Sequence, residues 1–168
     1  MCNDWCVNVL PDGFEPDRES VVDAVLTASR VLVAIAARSL AEVGDEVTLT
    51  QYRSLVVLAS RGPQSVAALA EELGVTPSTV SRLCDRLVRK SLVRRREDRR
   101  DRRAVRLALT PAGRELVDAV TERRRTEIAG LLDAVPDVDQ RSMVQALRAL
   151  AQAAGEVPEQ DWTTGWDL

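Results

Sequence analysis

Residues 69–83 read Leu69-Ala70-Glu71-Glu72-Leu73-Gly74-Val75-Thr76-Pro77-Ser78-Thr79-Val80-Ser81-Arg82-Leu83, and their spacing decides the fold. Gly74 permits a sharp turn through positive φ. Around it, Leu69, Ala70, Leu73, Val75, Val80 and Leu83 sit where two helices crossing at that turn need aliphatic contacts. Ala70 is small where the helices approach most closely. The pattern predicts a helix-turn-helix.

The helix boundaries are written locally. Ser65 caps a helix over Val66 to Leu73, and Gly74 closes it. Thr76 caps the second helix with Pro77 at its first position, where a missing N–H costs nothing, and the helix runs to about Lys90. Val80, Leu83, Cys84 and Leu87 recur at i, i+3, i+4 and i+7, so they form its core face. Ser78, Thr79, Arg82 and Arg86 fall towards the other side. Short hydroxyls at a helix N-terminus bond phosphates or base edges, and an arginine fork reads guanine. Arg82 and Arg86 repel each other across one turn, which fits a face turned towards phosphates better than a solvated one.

Two short strands follow, near 92–96 and 104–109. Seven arginines lie between Arg94 and Arg103, interrupted by Asp98 and Asp101. Asp101 and Arg103 are placed to pair and stiffen the turn. Arg99, Arg100 and Arg102 are then available at the tip for a minor groove, where narrow width concentrates negative potential. Charge runs are usually only solvated, but this one directly follows a helix-turn-helix and is flanked by Leu92-Val93 and by Val105, Leu107 and Leu109.

Further out, a long helix is predicted over 18–43, ended by Gly44. Thr50 is read as the cap of a short helix through Ser60. Thr110-Pro111 opens a helix to about Ala134, Pro136 breaks it, and Asp137 caps a last helix to about Ala154. Residues 1–17 form a leader and 155–168 a polar tail. The fold class is therefore mainly α with a small β-hairpin wing: a winged helix-turn-helix over about 50–109, with helical segments over about 18–43 and 111–154 completing an 18–154 domain. Leu116, Val117, Val120, Ile128, Leu131 and Leu132, then Met143, Leu147 and Leu150, are more apolar surface than a lone winged helix buries, which predicts a homodimer.

Composition bounds the rest. The 168 residues carry a net charge of -3, but Arg82 to Arg106 alone carry +8, leaving -11 elsewhere. Such a chain draws a polyanion to one face. Aromatics make up 3%, four of the five near the termini, so the core is aliphatic. The absence of histidine, of a glycine-rich phosphate loop and of clustered metal ligands argues against an enzyme, a metal or a cofactor. No 18-residue apolar run is apparent, which predicts no membrane span, and the first residues lack a secretory pattern. Three cysteines without metal spacing fit a reducing, cytoplasmic setting.

Taken together, Thr50-Gln51-Tyr52, the 69–75 and 77–83 segments, Asp101-Arg102-Arg103 and Leu109-Thr110-Pro111-Ala112-Gly113 resemble the MarR family of bacterial regulators over roughly residues 20–154. The resemblance implies a homodimeric repressor on a pseudo-palindromic double-stranded DNA operator, often released by a small-molecule effector or by oxidation. It implies DNA contacts from Ser78, Thr79 and Arg82 and from Arg102 in the wing, with Asp101 and Arg103 bracing that wing. Tyr52 falls where the family often lines its ligand pocket, although a packing role at the start of its helix serves equally well. The scarcity of aromatics departs from family pockets that hold aromatic acids. Cys2 and Cys6 offer an alternative redox-sensing reading, without a nearby cationic site to activate them. Cys84 reads as a small core residue. A winged helix that docks an acidic protein is the rival outside DNA binding.

Overall fold

The computed structural model describes residues 15–43, 47–97 and 105–162. Cys2, Cys6, the stop at Gly44, and the wing residues Arg99, Arg100, Asp101, Arg102 and Arg103 lie outside the described residues.

The described chain is mainly helical with one two-stranded antiparallel sheet. The element order is α1 (Arg18–Val43), α2 (Leu49–Arg61), α3 (Val66–Leu73), α4 (Pro77–Arg89), β1 (Val93–Glu97), β2 (Val105–Leu109), α5 (Pro111–Leu132) and α6 (Asp137–Ala153), then a short 3-10 turn at Glu159–Asp161. The chain divides into two compact units between Ala34 and Ile35. The first contains the N-terminal part of α1, whose Val21, Val22, Val25, Leu26, Val31, Leu32 and Val33 are all exposed. The expectation that no 18-residue apolar run exists is corrected here. By length and composition α1 is apolar enough to cross a membrane, because its charges, such as Asp23 and Arg30, are too widely spaced to break the run.

In the second unit, α2 is the central post. Gln51, Tyr52 and Ser54 to Ser60 are buried along it, and it packs against α3, α4, α5 and β2. A helix buried on every side must satisfy its polar side chains locally. Ser54 Oγ donates to the Thr50 carbonyl at 2.9 Å, and Ser60 Oγ to the Val57 carbonyl at 3.3 Å. Thr48 rather than Thr50 caps α2. Its Oγ1 accepts from the Gln51 N–H at 3.3 Å while Gln51 Oε1 accepts from the Thr48 N–H at 3.0 Å, a reciprocal capping box. Thr50 lies inside the first turn, with its carbonyl engaged by Ser54.

The helix-turn-helix closes as its spacing predicts. Gly74 adopts φ 62° and ψ 32°, the left-handed region, and its N–H donates to Glu71 O at 3.1 Å. Val75 N–H donates to Ala70 O at 3.0 Å, completing the helix-ending motif. Leu69, Ala70, Val80, Cys84 and Leu87 enter one aliphatic cluster with Leu55, Leu58, Val93, Leu107, Val117 and Val120, and Leu83 packs partly buried against it.

β1 and β2 pair from Val93↔Leu109 to Glu97↔Val105. An element absent from the sequence reading extends the sheet: Gln64 N–H donates to Leu107 O at 3.0 Å, and Leu107 N–H donates to Gln64 O at 2.7 Å. Thr110 caps α5, accepting from Gly113 N–H at 3.0 Å and donating its hydroxyl to Ser91 O at 2.6 Å. Asp137 is not the cap of α6: Pro136 holds that position without a side-chain cap, and Asp137 and Asp139 lie in the first turn, where negative charge complements the helix dipole. Gln140 Nε2 ties the two helices by donating to Val135 O at 2.8 Å.

The tail after Gly155 is docked up to Trp162. Arg53 donates to both Glu156 oxygens at 2.9 and 2.6 Å, and Arg61 donates to Gly155 O at 2.6 Å. Trp162 packs against the core cluster, its indole N–H donating to Val157 O at 3.1 Å.

Candidate nucleic-acid interface

The exposed face of α4 is built by its cap and its amphipathic pattern. Thr76 accepts from Thr79 N–H at 3.3 Å, and its hydroxyl lies 3.1 Å from Ser78 Oγ and 2.9 Å from Thr79 Oγ1. Three hydroxyls therefore gather at the N-terminus of the helix, where backbone N–H groups and the dipole favour an anion. With Val80, Cys84 and Leu87 locked in the core, Ser78, Thr79, Arg82 and Arg86 are all left exposed. Neither guanidinium makes an ion pair or hydrogen bond among the described residues. Held one turn apart on a helix, they concentrate positive charge that no carboxylate among the described residues neutralises.

A cleft of about 310 Å³ runs between this face and the start of α2. Thr79, Arg82, Leu83 and Arg86 line one side, and Thr48, Thr50 and Gln51 the other. Among the described residues, no carboxylate lines it. Thr48, Thr50 and Gln51 were not singled out as site residues from the sequence; the capping box Thr48-x-x-Gln51 marks where α2 begins, and only the tertiary packing brings that end beside α4.

The base of the wing is fixed to this surface. Arg95 Nη2 donates to Asp85 Oδ1 on α4 at 2.6 Å, and Arg106 Nη1 donates to the Pro63 carbonyl at 3.1 Å. These braces lie at the root of the hairpin, whereas the pair expected from sequence, Asp101 and Arg103, lies outside the described residues. Arg94 is exposed on β1.

Tyr52 sits in the core, 4% exposed, and its hydroxyl is buried without a hydrogen-bond partner among the described residues. Cys84 is fully buried, and burial pushes its thiol up to about 11, with Arg95 pulling it down and Asp85 pushing it up to lesser degrees. That supports its reading as a packing residue rather than a reactive thiol.

Residues 47–105 match the family model described as the MarR family. The HTH-type transcriptional repressor MdtR of Bacillus subtilis is 31% identical over 119 residues, which cover 71% of this chain and 77% of that protein. Among solved structures, RV1404 from Mycobacterium tuberculosis superposes with a TM-score of 0.79 at 43% identity, covering 87% of this chain and 99% of its own. Streptococcus pneumoniae FabT, solved in complex with DNA, shares the fold with a TM-score of 0.63 at 22% identity, over 81% of this chain and 96% of its own.

Proposed function

The chain belongs to the MarR family and is a transcriptional regulator, not an enzyme; from that premise we propose that it is a cytoplasmic homodimeric repressor that binds a pseudo-palindromic operator in double-stranded DNA. The observation that carries the reading is the exposed face of α4, where Arg82 and Arg86 have no counter-ion among the described residues and stand beside Ser78 and Thr79. In this reading α4 enters the major groove. Arg82 reads a base edge, and Ser78, Thr79 and Arg86 hold phosphates together with the α2 end of the cleft. The arginines of the wing, Arg99, Arg100, Arg102 and Arg103, reach the adjoining minor groove, with Asp101 bracing Arg103.

A second copy of the chain accounts for the apolar surface better than a lipid bilayer does. Val22, Leu26 and Val33 on α1 are exposed, and so are Leu131 on α5 and Val144, Leu147 and Leu150 on α6. Burying such surface between copies sets two α4 helices about one helical turn of DNA apart, ~34 Å. Repression is the reading because the relative MdtR is named a repressor. Release by a small effector fits the buried Tyr52 hydroxyl, which has no hydrogen-bond partner among the described residues. The redox alternative rests on Cys2 and Cys6.

The test is a fluorescence-anisotropy titration against the DNA upstream of the protein's own gene, across a salt series, with a scrambled duplex as control. The expected result is a Kd of about 10⁻⁸ M or tighter for the native duplex alone, falling steeply in affinity with salt. Equal, salt-sensitive binding to both duplexes overturns sequence-specific recognition of that DNA and favours the protein-docking reading.

A further inference from the structure

Within its own chain, α6 is held chiefly by its two ends. None of its described side chains is buried, and its sides make only slight contact with the other helices and strands. At its start, Gln140 ties it to the end of α5. At its finish, Gly155 adopts φ 67° and Glu156 N–H donates to Ala151 O at 3.0 Å, which stops the helix and turns the chain onto the body. There Arg61, the last residue of α2, grips two elements at once. Its Nη2 donates to Gly155 O at 2.6 Å, and its Nε lies 3.0 Å from Glu72 Oε2 on α3. Two turns earlier on α2, the Arg53 fork holds both Glu156 oxygens. Further along the tail, Glu159 accepts from Arg125 on α5 at 3.0 Å, and Trp162 packs on the core. Gln64 Nε2 donates to Arg61 O at 3.1 Å, and the Gln64 backbone pairs with Leu107 of the wing. Arg61 therefore stands where the end of α6, the first helix of the helix-turn-helix and the base of the wing meet.

We propose that residues 155–162 are a strap that fixes the angle between α6 and the winged helix, with Arg53 and Arg61 as positioning residues, so that two copies of the chain meet DNA with their α4 helices already spaced. The inference rests on the homodimer proposed above. One exposed ion pair is worth little. A bidentate fork, a charge-assisted bond to a backbone carbonyl and a packed indole acting together on one short segment hold a single geometry. Without them α6 is tied only at its α5 joint, and the ordering of its far end opposes DNA binding.

The experiment measures the distance between the two α4 helices of the DNA-free dimer by double electron–electron resonance. One spin label per chain is placed at Arg89→Cys, on the exposed end of α4, in a Cys2→Ser, Cys6→Ser background; Cys84 is buried and stays unlabelled. Wild type is expected to give one narrow distance distribution, and Arg61→Gln and Glu156→Gln each to broaden it roughly twofold. Asp118→Asn, which removes an ion pair within α5, is expected to leave the width unchanged. A urea midpoint falls for any lost tie, whereas the width in a folded dimer responds to orientation. Wild-type width in both strap variants overturns the proposal, as does equal broadening in Asp118→Asn. Absence of dipolar coupling in wild type overturns the homodimer reading itself and this inference with it, an outcome separate from a dimer whose width ignores the strap.

Discussion

Gly113 lies so close to the backbone of Leu92 that a β-carbon built on it sits 2.1 Å from the Leu92 oxygen and 3.0 Å from its carbonyl carbon. The same oxygen accepts from Thr110 N–H at 3.1 Å. The contact therefore joins the exit of α4 to the start of α5 through backbone atoms, which cannot swing aside as a side chain can. Gly113→Ala is expected to destabilise the fold by ~1–3 kcal/mol, as overpacking does. Urea denaturation checks it, and a midpoint equal to wild type sinks the claim.

Ser91 has φ 57° at the end of α4, where Ser91 N–H donates to Val88 O at 2.9 Å and Leu92 N–H to Leu87 O at 3.0 Å. This is a glycine position occupied by an L-residue with a β-carbon. Ser91→Gly relieves that strain and gives back part of the gain through a freer unfolded chain, for a net stabilisation of about 0.5–1 kcal/mol. A raised melting temperature is expected; a lowered one means that the serine side chain contributes more than its backbone costs.

Arg82→Ala is expected to relax base preference at one operator position and to cost about 1–3 kcal/mol. Arg102→Ala is expected instead to weaken binding across sequences and to flatten the salt slope by about one. Anisotropy against a panel of single-base operator variants separates the two. If Arg82→Ala keeps the full discrimination of wild type, it reads no base.

The Arg53–Glu156 pair holds the Glu156 carboxyl below its ordinary value, chiefly by the hydrogen bond from Arg53 and against some desolvation. The sign follows directly: a carboxyl lowered in the folded state contributes stability above its unfolded pKa, and loses it as pH falls through the folded one. Both partners remain over a third exposed, so the contribution is about 0.5–1 kcal/mol. Glu156→Gln should therefore be less stable than wild type at pH 7, with the gap closing below the ordinary glutamate range near pH 4.5. A gap that does not change between pH 7 and pH 3 is inconsistent with an ionic origin.

With its thiol pushed up to about 11 and fully buried, Cys84 offers almost no thiolate near neutrality. In native protein at pH 8, iodoacetamide should modify the Cys84 peptide at least ~100-fold more slowly than in urea, read by mass spectrometry. Comparable rates would mean that this part of the core opens readily.

What the sequence disclosed was local. Gly74, Thr76-Pro77 and Thr110-Pro111 each act within a turn, so their φ preferences and caps fix helix ends without reference to the rest of the chain. The cap of α2 was legible in Thr48-x-x-Gln51, but Thr50 is a competing hydroxyl in the same turn, and only the reciprocal bonds separate them. The pairing of Gln64 with Leu107 rests on two backbone hydrogen bonds that no side-chain pattern marks. The docking of the tail joins Arg53 to Glu156 across 103 residues, and a polar segment gives no sign of which distant cation will receive it. On the candidate surface, α4 was read from its helical period, whereas the contribution of Thr48, Thr50 and Gln51 depends on a tertiary approach.

The hairpin has its own consequence. Its ladder from Val93↔Leu109 to Glu97↔Val105, the Gln64 bridge, and the ties from Arg95 to Asp85 and from Arg106 to Pro63 all lie on the body side of residue 98. Each strand therefore has its own anchor on the body: β1 through Arg95 to α4, and β2 through Leu107 and Arg106 to residues 64 and 63. A library of tip sequences can then be screened against new operators on strands that are already seated.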